Sequence, residues 1–469
     1  MRYVSTRGTA PAASFAEVLE SALAPDGGLY VPETWPPLDE EAIRGLAGLP
    51  YADAAFRVLF PFVEGAIPPD AFRKLTGDAY ACFGEAGVAP LRPLREGQWL
   101  LELFHGPTLA FKDVAMQLLA RLLERCAAAR RGRLLIMGAT SGDTGAAAVE
   151  AVKGRAGMDL VMLYPHERIS EMQRRQMTTH GADNVHVIAV EGSFDDCQSI
   201  VKAILGDTEL RRRTALTGVN SINWARVMAQ TVYYFTAAAA LGAPEQRPVF
   251  VVPTGNFGNV FAGYAAARMG LPVSRFVIAT NENDILARMV ETGRYAAETV
   301  RPTLSPAMDI QKASNFERLL FEICGRDGAA VAALMARFAR TGVLELEPRV
   351  HETVRASFTA QRVDDGETLS AIREVYEETG RLIDPHTAVG AAAARRAGLP
   401  EGPPVVILST AHPAKFPEAV RRAAGVAPET PARLARLASR PERFELLPAK
   451  PAIVRAAVER HMQSAQLRR

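Results

Sequence analysis

A chain of 469 residues, 48% hydrophobic and 23% charged, has an ordinary globular composition and is too long for one compact core. Its formal net charge of +2 gives no electrostatic case for binding nucleic acid or a membrane surface. No apolar run of about 18 residues is present, and the N-terminus lacks the unbroken apolar core of a signal peptide. The four cysteines (Cys82, Cys126, Cys197, Cys324) form no CxxC pair. No disulfide framework or metal site is therefore expected, and a reducing, cytoplasmic setting is.

In chain order, residues 1–95 read as mostly helical, broken by the turn-rich PDGGLYVPETWPP at 25–37. From about 95 the texture changes. The apolar runs RLLIMG (133–138), DLVMLY (159–164), NVHVIAV (184–190), PVFVVP (248–253), RFVIAT (275–280) and PVVILST (404–410) predict strands. Helical patterns at 143–153, 168–180, 194–205 and 222–241 separate them. Continuous apolar strands alternating with helices predict parallel sheets covered on both faces. The stretch 314–380 reads as consecutive helices and 427–469 as a helical or partly mobile tail. Basic pairs in ARRGR (129–133) and MQRRQM (172–177) read as solvated helix faces. The expected division is a helical region at 1–95, α/β domains at 96–225 and 226–426, and a tail at 427–469.

Ligands of open α/β sheets sit beyond the carboxyl ends of the strands, so loops after strands carry the most information. In GATSGDTGAAA (138–148), Thr140, Ser141, Asp143 and Thr144 crowd the start of an Ala-rich helix. Unpaired N–H groups and a positive dipole end suit a carboxylate there. The loop reads equally as a capped helix with Ser141 or Asp143 as N-cap. No GK[ST] closes it, so it is no nucleotide loop. In VPTGNFGNV (252–260), Gly255 and Gly258 allow the close backbone approach of a phosphate nest; a plain turn is the alternative. The spacing is not the dinucleotide fingerprint. ILSTAHPAKF (407–416) places Ser409, Thr410, His412 and Lys415 at a third strand end, where a hydroxyl can meet a heteroaromatic nitrogen. His412, ahead of Pro413, reads as a packed turn residue.

FHGPTLAFKDV (104–114) carries Lys112, one of only seven lysines among 54 basic side chains. In so arginine-rich a chain the choice invites a reason: lysine, unlike arginine, can lose its proton when desolvated and attack a carbonyl. The competing reading is a surface lysine in a helix's first turn. An imine-forming lysine, a phosphate nest, a hydroxyl for a ring nitrogen and a carboxylate-binding helix end together match pyridoxal phosphate with an amino-acid substrate.

ELFHGPTLAFKD, ATSGDTGAAA, VPTGNFGN, TLSPAMDI, DPHTAVG and STAHPAKF, in this order, resemble the threonine synthase family, in its longer Gram-negative and fungal form. The resemblance spans nearly the whole chain, including YVSTRG…FAEVLESALAPDGGLYVPE at its start. It implies two parallel-sheet α/β domains of the tryptophan-synthase-β-like (fold type II) kind with a helical N-terminal extension. It also implies conversion of O-phospho-L-homoserine and water to L-threonine and phosphate. On that likeness Lys112 links covalently to pyridoxal phosphate. Phe111, Asp143, Gly255, Asn256, Phe257, Gly258 and Asn259 surround the cofactor, and Thr410 sits beside its ring nitrogen. Thr140, Ser141 and Thr144 face the substrate carboxylate or stay near the cofactor oxygen, and Asn220 and Arg226 of NSINWAR hold the substrate phosphate. The expected protein is a monomer or homodimer. A lyase or dehydratase acting on another amino acid, or a non-catalytic binder of the same cofactor, are the alternatives.

Overall fold

The computed structural model describes residues 1–84, 87–129 and 133–467. Arg130, Arg131 and Gly132 of the basic run at 129–133 lie outside the described residues. All six strands expected from continuous apolar runs form, and the Met158–Pro165 strand is buried along its whole length. They fall into two sheets. The five-stranded sheet is all parallel, in the order Glu445–Pro448, Val185–Glu191, Met158–Pro165, Leu134–Ala139, Ala215–Gly218. The six-stranded sheet runs Phe358–Arg362, Arg275–Thr280, Val249–Pro253, Val405–Ser409, Gln98–Glu102, Leu91–Arg95. Its only antiparallel pair is the hairpin at 91–102. Helices such as Lys112–Ala128, Trp224–Ala240 and Pro385–Arg396 cover the faces, as parallel sheets require.

The strands missed in the sequence are mostly edges. Leu91–Arg95 reads LRPLR, with Pro93 and two arginines, and only Leu94 is buried; proline and charge are tolerated there because one side of an edge strand pairs with nothing. Phe358–Arg362 interrupts the run of helices expected at 314–380 and buries only Phe358. The tail is also corrected: Glu445–Pro448 adds a strand to the five-stranded sheet before the Pro451–Leu467 helix. Sheet membership does not follow the cut at 225, since Gln98–Glu102 pairs with Val405–Ser409.

The arginines of MQRRQM do not form a solvated face. On the Glu171–Thr178 helix, Arg174 and Arg175 both hold Glu442, and Arg175 donates to the carbonyls of Leu437, Ala438 and Arg440. They strap the C-terminal segment across this helix. The N-terminal region is stitched in through buried Arg318, whose Nε donates to Tyr30 O at 2.9 Å and whose Nη2 donates to Ile222 O at 2.6 Å. Among the described residues no helix is long and apolar enough to cross a membrane.

Candidate active site

The carboxyl ends of strands from both sheets face one cavity of about 680 Å³, its open mouth included. Lys112 enters it as the first residue of its helix. The loop before it is pinned to the end of the Val405–Ser409 strand. Leu103 N–H donates to Ser409 O (2.9 Å), Phe111 N–H to Thr410 O (2.9 Å) and His412 N–H to Leu109 O (3.1 Å). Asp113 stiffens the turn by accepting from Thr108 N–H and Oγ1, both at 2.8 Å. Gly106 packs so tightly on it that a Cβ there would lie 2.5 Å from Asp113 Cβ. The result is a lysine side chain only 12% exposed, with Nζ 4.6 Å from the Phe111 ring centroid. Burial lowers its pKa to about 8; Asp143 opposes the shift, and Lys415 and Arg226 add to it.

Asp143 opens the Asp143–Val152 helix at the end of the Leu134–Ala139 strand. One carboxylate oxygen lies 3.7 Å from Lys112 Nζ, and the other lies 2.6 Å from Lys415 Nζ and accepts from Gln173 Nε2 at 3.1 Å. Burial alone would raise this carboxyl, yet Lys415 and Lys112 hold it well below the usual carboxylate range. In the same loop the Thr140 hydroxyl is spent locally, accepting from Gly142 N–H and Gly145 N–H at 2.9 Å each.

After Val249–Pro253 the chain turns through Phe257 at φ 63° into the Gly258–Arg268 helix. A bulky residue in left-handed conformation persists only when its surroundings over-determine it. Here the buried ring packs on Phe316 and Phe358. The helix thus begins at the cavity lining with Gly255, Asn256, Gly258 and Asn259, where unpaired N–H groups of a first turn suit an anion. Gly255 has no room for a side chain: a Cβ would meet Ile310 Cδ1 at 2.9 Å and Met308 Cα at 3.0 Å. The Asn259 amide oxygen lies 2.6 Å from the Tyr233 hydroxyl and 2.8 Å from that of Tyr234, while its Nδ2 is buried without a partner.

Arg226 lies in the first turn of the Trp224–Ala240 helix, which Asn223 caps by accepting from Ala225 N–H at 3.0 Å. It is 3% exposed. Nη1 donates to Val219 O at 3.1 Å and Nε has no partner. Among the described residues no carboxylate pairs with it, and burial lowers its pKa to about 10. A buried cation without an anion is costly, and an incoming anion would offset that cost.

Phe111, Lys112, Asp143, Thr144, Arg226, Gly255, Asn256, Gly258, Asn259 and Thr410 all line the one cavity. Thr140, Ser141, Asn220 and Phe257 do not belong to its lining; Ser141 is exposed and Phe257 contributes backbone geometry. His412 is the packed turn residue expected, accepting from Ala414 N–H at 3.1 Å and edge-on to Phe104. The sequence reading gave no role to Lys415, although it is as rare a lysine as Lys112. It also passed over Ser221, Gln230 and His386 in the lining. His386 Nε2 accepts from Ala307 N–H at 3.2 Å, so Nδ1 carries the proton toward Asp384 Oδ2 at 2.7 Å. This contact fixes the turn that closes over Gly255, joining TLSPAMDI to DPHTAVG.

Three family models match the chain: threonine synthase N terminus at 2–80, pyridoxal-phosphate dependent enzyme at 84–348, and threonine synthase C-terminal at 387–458. The chain is 53% identical to threonine synthase of Pseudomonas aeruginosa over 98% of each sequence. Among solved structures, PLP-bound threonine synthase from Brucella melitensis superposes with a TM-score of 0.95 at 50% identity, covering 98% of this chain and 99% of that one. Threonine synthase from yeast gives 0.91 at 37% identity, covering 99% of each.

Proposed function

We infer the division of labour in the cavity from one premise: the chain belongs to the threonine synthase family, pyridoxal-phosphate-dependent lyases that convert O-phospho-L-homoserine and water to L-threonine and phosphate. The observation that carries the reading is Arg226, a buried guanidinium with an orphaned Nε and, among the described residues, no carboxylate, on the same cavity as Lys112. The residues present fit the cofactor. The Gly255 cradle excludes a side chain, Asn259 Nδ2 lacks a partner, and the Lys112 amine is desolvated.

When bound, pyridoxal phosphate supplies an aldehyde for a covalent link and a conjugated ring that takes up negative charge from the substrate Cα. Lys112 provides the amine for that link. Gly255, Asn256, Phe257, Gly258 and Asn259 hold the cofactor phosphate through backbone N–H groups and the Asn259 amide. Thr410, 5% exposed and on the cavity lining, would meet the ring nitrogen, and a hydroxyl there would not force protonation as an aspartate would. With its amine free, Lys112 Nζ would remove the substrate Cα proton and then serve the protons at Cβ and Cγ. Arg226 grips the substrate phosphate and aims the Cγ–O bond that breaks; Asn220, outside the cavity lining, takes no part in that grip. Thr144 receives the substrate carboxylate at the helix start, on a turn that the Thr140 hydroxyl holds through Gly142 and Gly145 N–H. The reading includes a cytoplasmic setting, in keeping with four cysteines that form no CxxC pair, and a monomer or homodimer.

Incubation with O-phospho-L-homoserine is expected to yield threonine and inorganic phosphate in equal amounts. Phosphate accompanied by 2-oxobutyrate and ammonia, without threonine, would replace this reading with that of an eliminating relative.

Gly255→Ala is expected to weaken binding of pyridoxal phosphate to the cofactor-free chain. Overpacking of this kind costs about 1–3 kcal/mol, about 5- to 150-fold in affinity, measurable by fluorescence titration. Wild-type affinity would mean that the cradle is not at Gly255. The lowered pKa of Lys112 gives a further expectation. Only the neutral amine attacks an aldehyde, so capture of pyridoxal phosphate, trapped by borohydride reduction, should rise about tenfold per pH unit below the pKa and level off above about 8. A rate that keeps climbing past pH 10 would describe an ordinary solvated lysine.

A further inference from the structure

Lys415 sits behind Lys112, and the steps above give it no work. Its side chain has no solvent exposure, and Nζ lies 2.6 Å from Asp143 Oδ1 and 3.0 Å from Thr108 O. Asp143 is therefore shared, because its other oxygen lies 3.7 Å from Lys112 Nζ. Thr108 O accepts from Gln176 Nε2 as well, at 2.9 Å. Burying a lysine is expensive. A neutral donor would reach the same two acceptors, so hydrogen bonding alone does not explain the charge.

The charged groups that act on Lys112 come from four elements. Asp143 starts one helix and Asp113 lies on the lysine's own. Arg226 comes from the Trp224–Ala240 helix, and Lys415 from the loop after Val405–Ser409. Two carboxylates thus meet two cations. Deleting the charge of Lys415 would leave an excess of negative charge around Lys112 and free Asp143 to pair with it alone. We propose that Lys415 is a positioning residue that sets the charge state of Lys112: by claiming Asp143 at short range, it denies Lys112 the counterion that would hold its amine protonated. The inference rests on Lys112 being the reactive amine of this site. It accounts for a contrast in the geometry: Asp143 makes its short contact with the lysine that does no chemistry and its long one with the lysine that must exchange protons. A base serves best when its proton affinity lies near the working pH.

The test reads Lys112 directly. The full-length, cofactor-free chain is pulsed with acetic anhydride across pH 6–11, and acetylation of Lys112 is quantified by peptide mapping. Lys415→Gln keeps donors for Asp143 and Thr108 but drops the charge; Lys415→Arg keeps the charge. The pH of half-maximal reactivity is expected near 8 in the wild type. It is expected about one to three units higher in the Gln variant and close to wild type in the Arg variant. An unchanged value in Lys415→Gln overturns the proposal. So does an equal shift in both variants, which would make the effect one of packing. Asp143→Asn leaves Lys415 in place and keeps the question decidable if a Lys415 variant does not fold. Removing the shared anion is expected to move Lys112 downward, and no shift or an upward one would overturn the proposal. Borohydride reduction of the holoenzyme, mapped in parallel, tests the premise by itself: a label on another lysine removes Lys112 from the chemistry, while the acetylation curves still decide what Lys415 does to its charge.

Discussion

Lys112→Ala is expected to release neither threonine nor phosphate from O-phospho-L-homoserine above background, a loss of at least about 10³-fold. Removal of a positioned acid–base group alone costs about 10²–10⁴-fold, and this lysine also forms the covalent link and serves protons at more than one carbon. The variant is expected to fold. The truncated atoms lie in the cavity beside the Phe111 ring and Asp143, and the turn is held by Asp113 and Thr108. Pyridoxal phosphate should still dock through the Gly255–Asn259 nest, with an absorbance band characteristic of the free aldehyde. Lys112→Arg is expected to be as inactive as the alanine variant, because a guanidinium does not give up its proton at accessible pH. A small primary amine added to Lys112→Ala should restore part of the proton transfer but none of the positioning. Measurement of threonine and phosphate together decides the matter. Turnover in Lys112→Ala within tenfold of wild type would assign the proton transfers to another base, and His386 on the same lining would be the first to test.

How far the sequence could be read follows from the range of the forces involved. Interior strands declare themselves because both faces are covered, so VMLY or VFVV runs unbroken. Edge strands such as Leu91–Arg95 and Glu445–Pro448 keep one side in water and carry proline or charge, and no local pattern separates them from loops. The loops were legible for a related reason: glycines and hydroxyls directly after an apolar run have few structural uses. Contacts across many residues left no such trace. Nothing near Lys415 announces that it shares Asp143, which lies 272 positions earlier. Likewise the role of residues 1–95 emerges only from the Arg318 contacts to Tyr30 and Ile222, next to cavity-lining Ser221. Arginine pairs in MQRRQM looked like solvent-facing residues because their partner, Glu442, comes from the far end of the chain.

Arg226→Ala is expected to lower kcat/KM for O-phospho-L-homoserine by about 30-fold to several thousand-fold, leaving the cofactor absorbance unchanged. The range follows from the about 2–5 kcal/mol lost when one partner of a buried, hydrogen-bonded charge pair is removed, read as a change in transition-state stabilisation. Much of the loss should appear in kcat, because the grip on the phosphate aims the bond that breaks. Arg226→Lys is expected to fall between, since an ammonium restores the charge but not the planar fork. A non-hydrolysable phosphonate analogue should lose affinity in the same order. The stability of the cofactor-free protein supplies an independent check with the opposite sign. Arg226 is buried and, among the described residues, has an unpaired Nε and meets no carboxylate, so without a bound anion it costs the fold free energy. Arg226→Met fills a similar volume without a charge and is therefore expected to unfold at an equal or higher temperature than wild type while failing to turn over phosphohomoserine. Adding inorganic phosphate should raise the unfolding temperature of the wild type and not of the Met variant, as binding to the folded state alone requires. A Met variant that unfolds well below wild type would make Arg226 a structural residue, its hydrogen bond to Val219 O being the feature that matters. A variant that loses cofactor and substrate binding together would place the guanidinium on the cofactor phosphate instead.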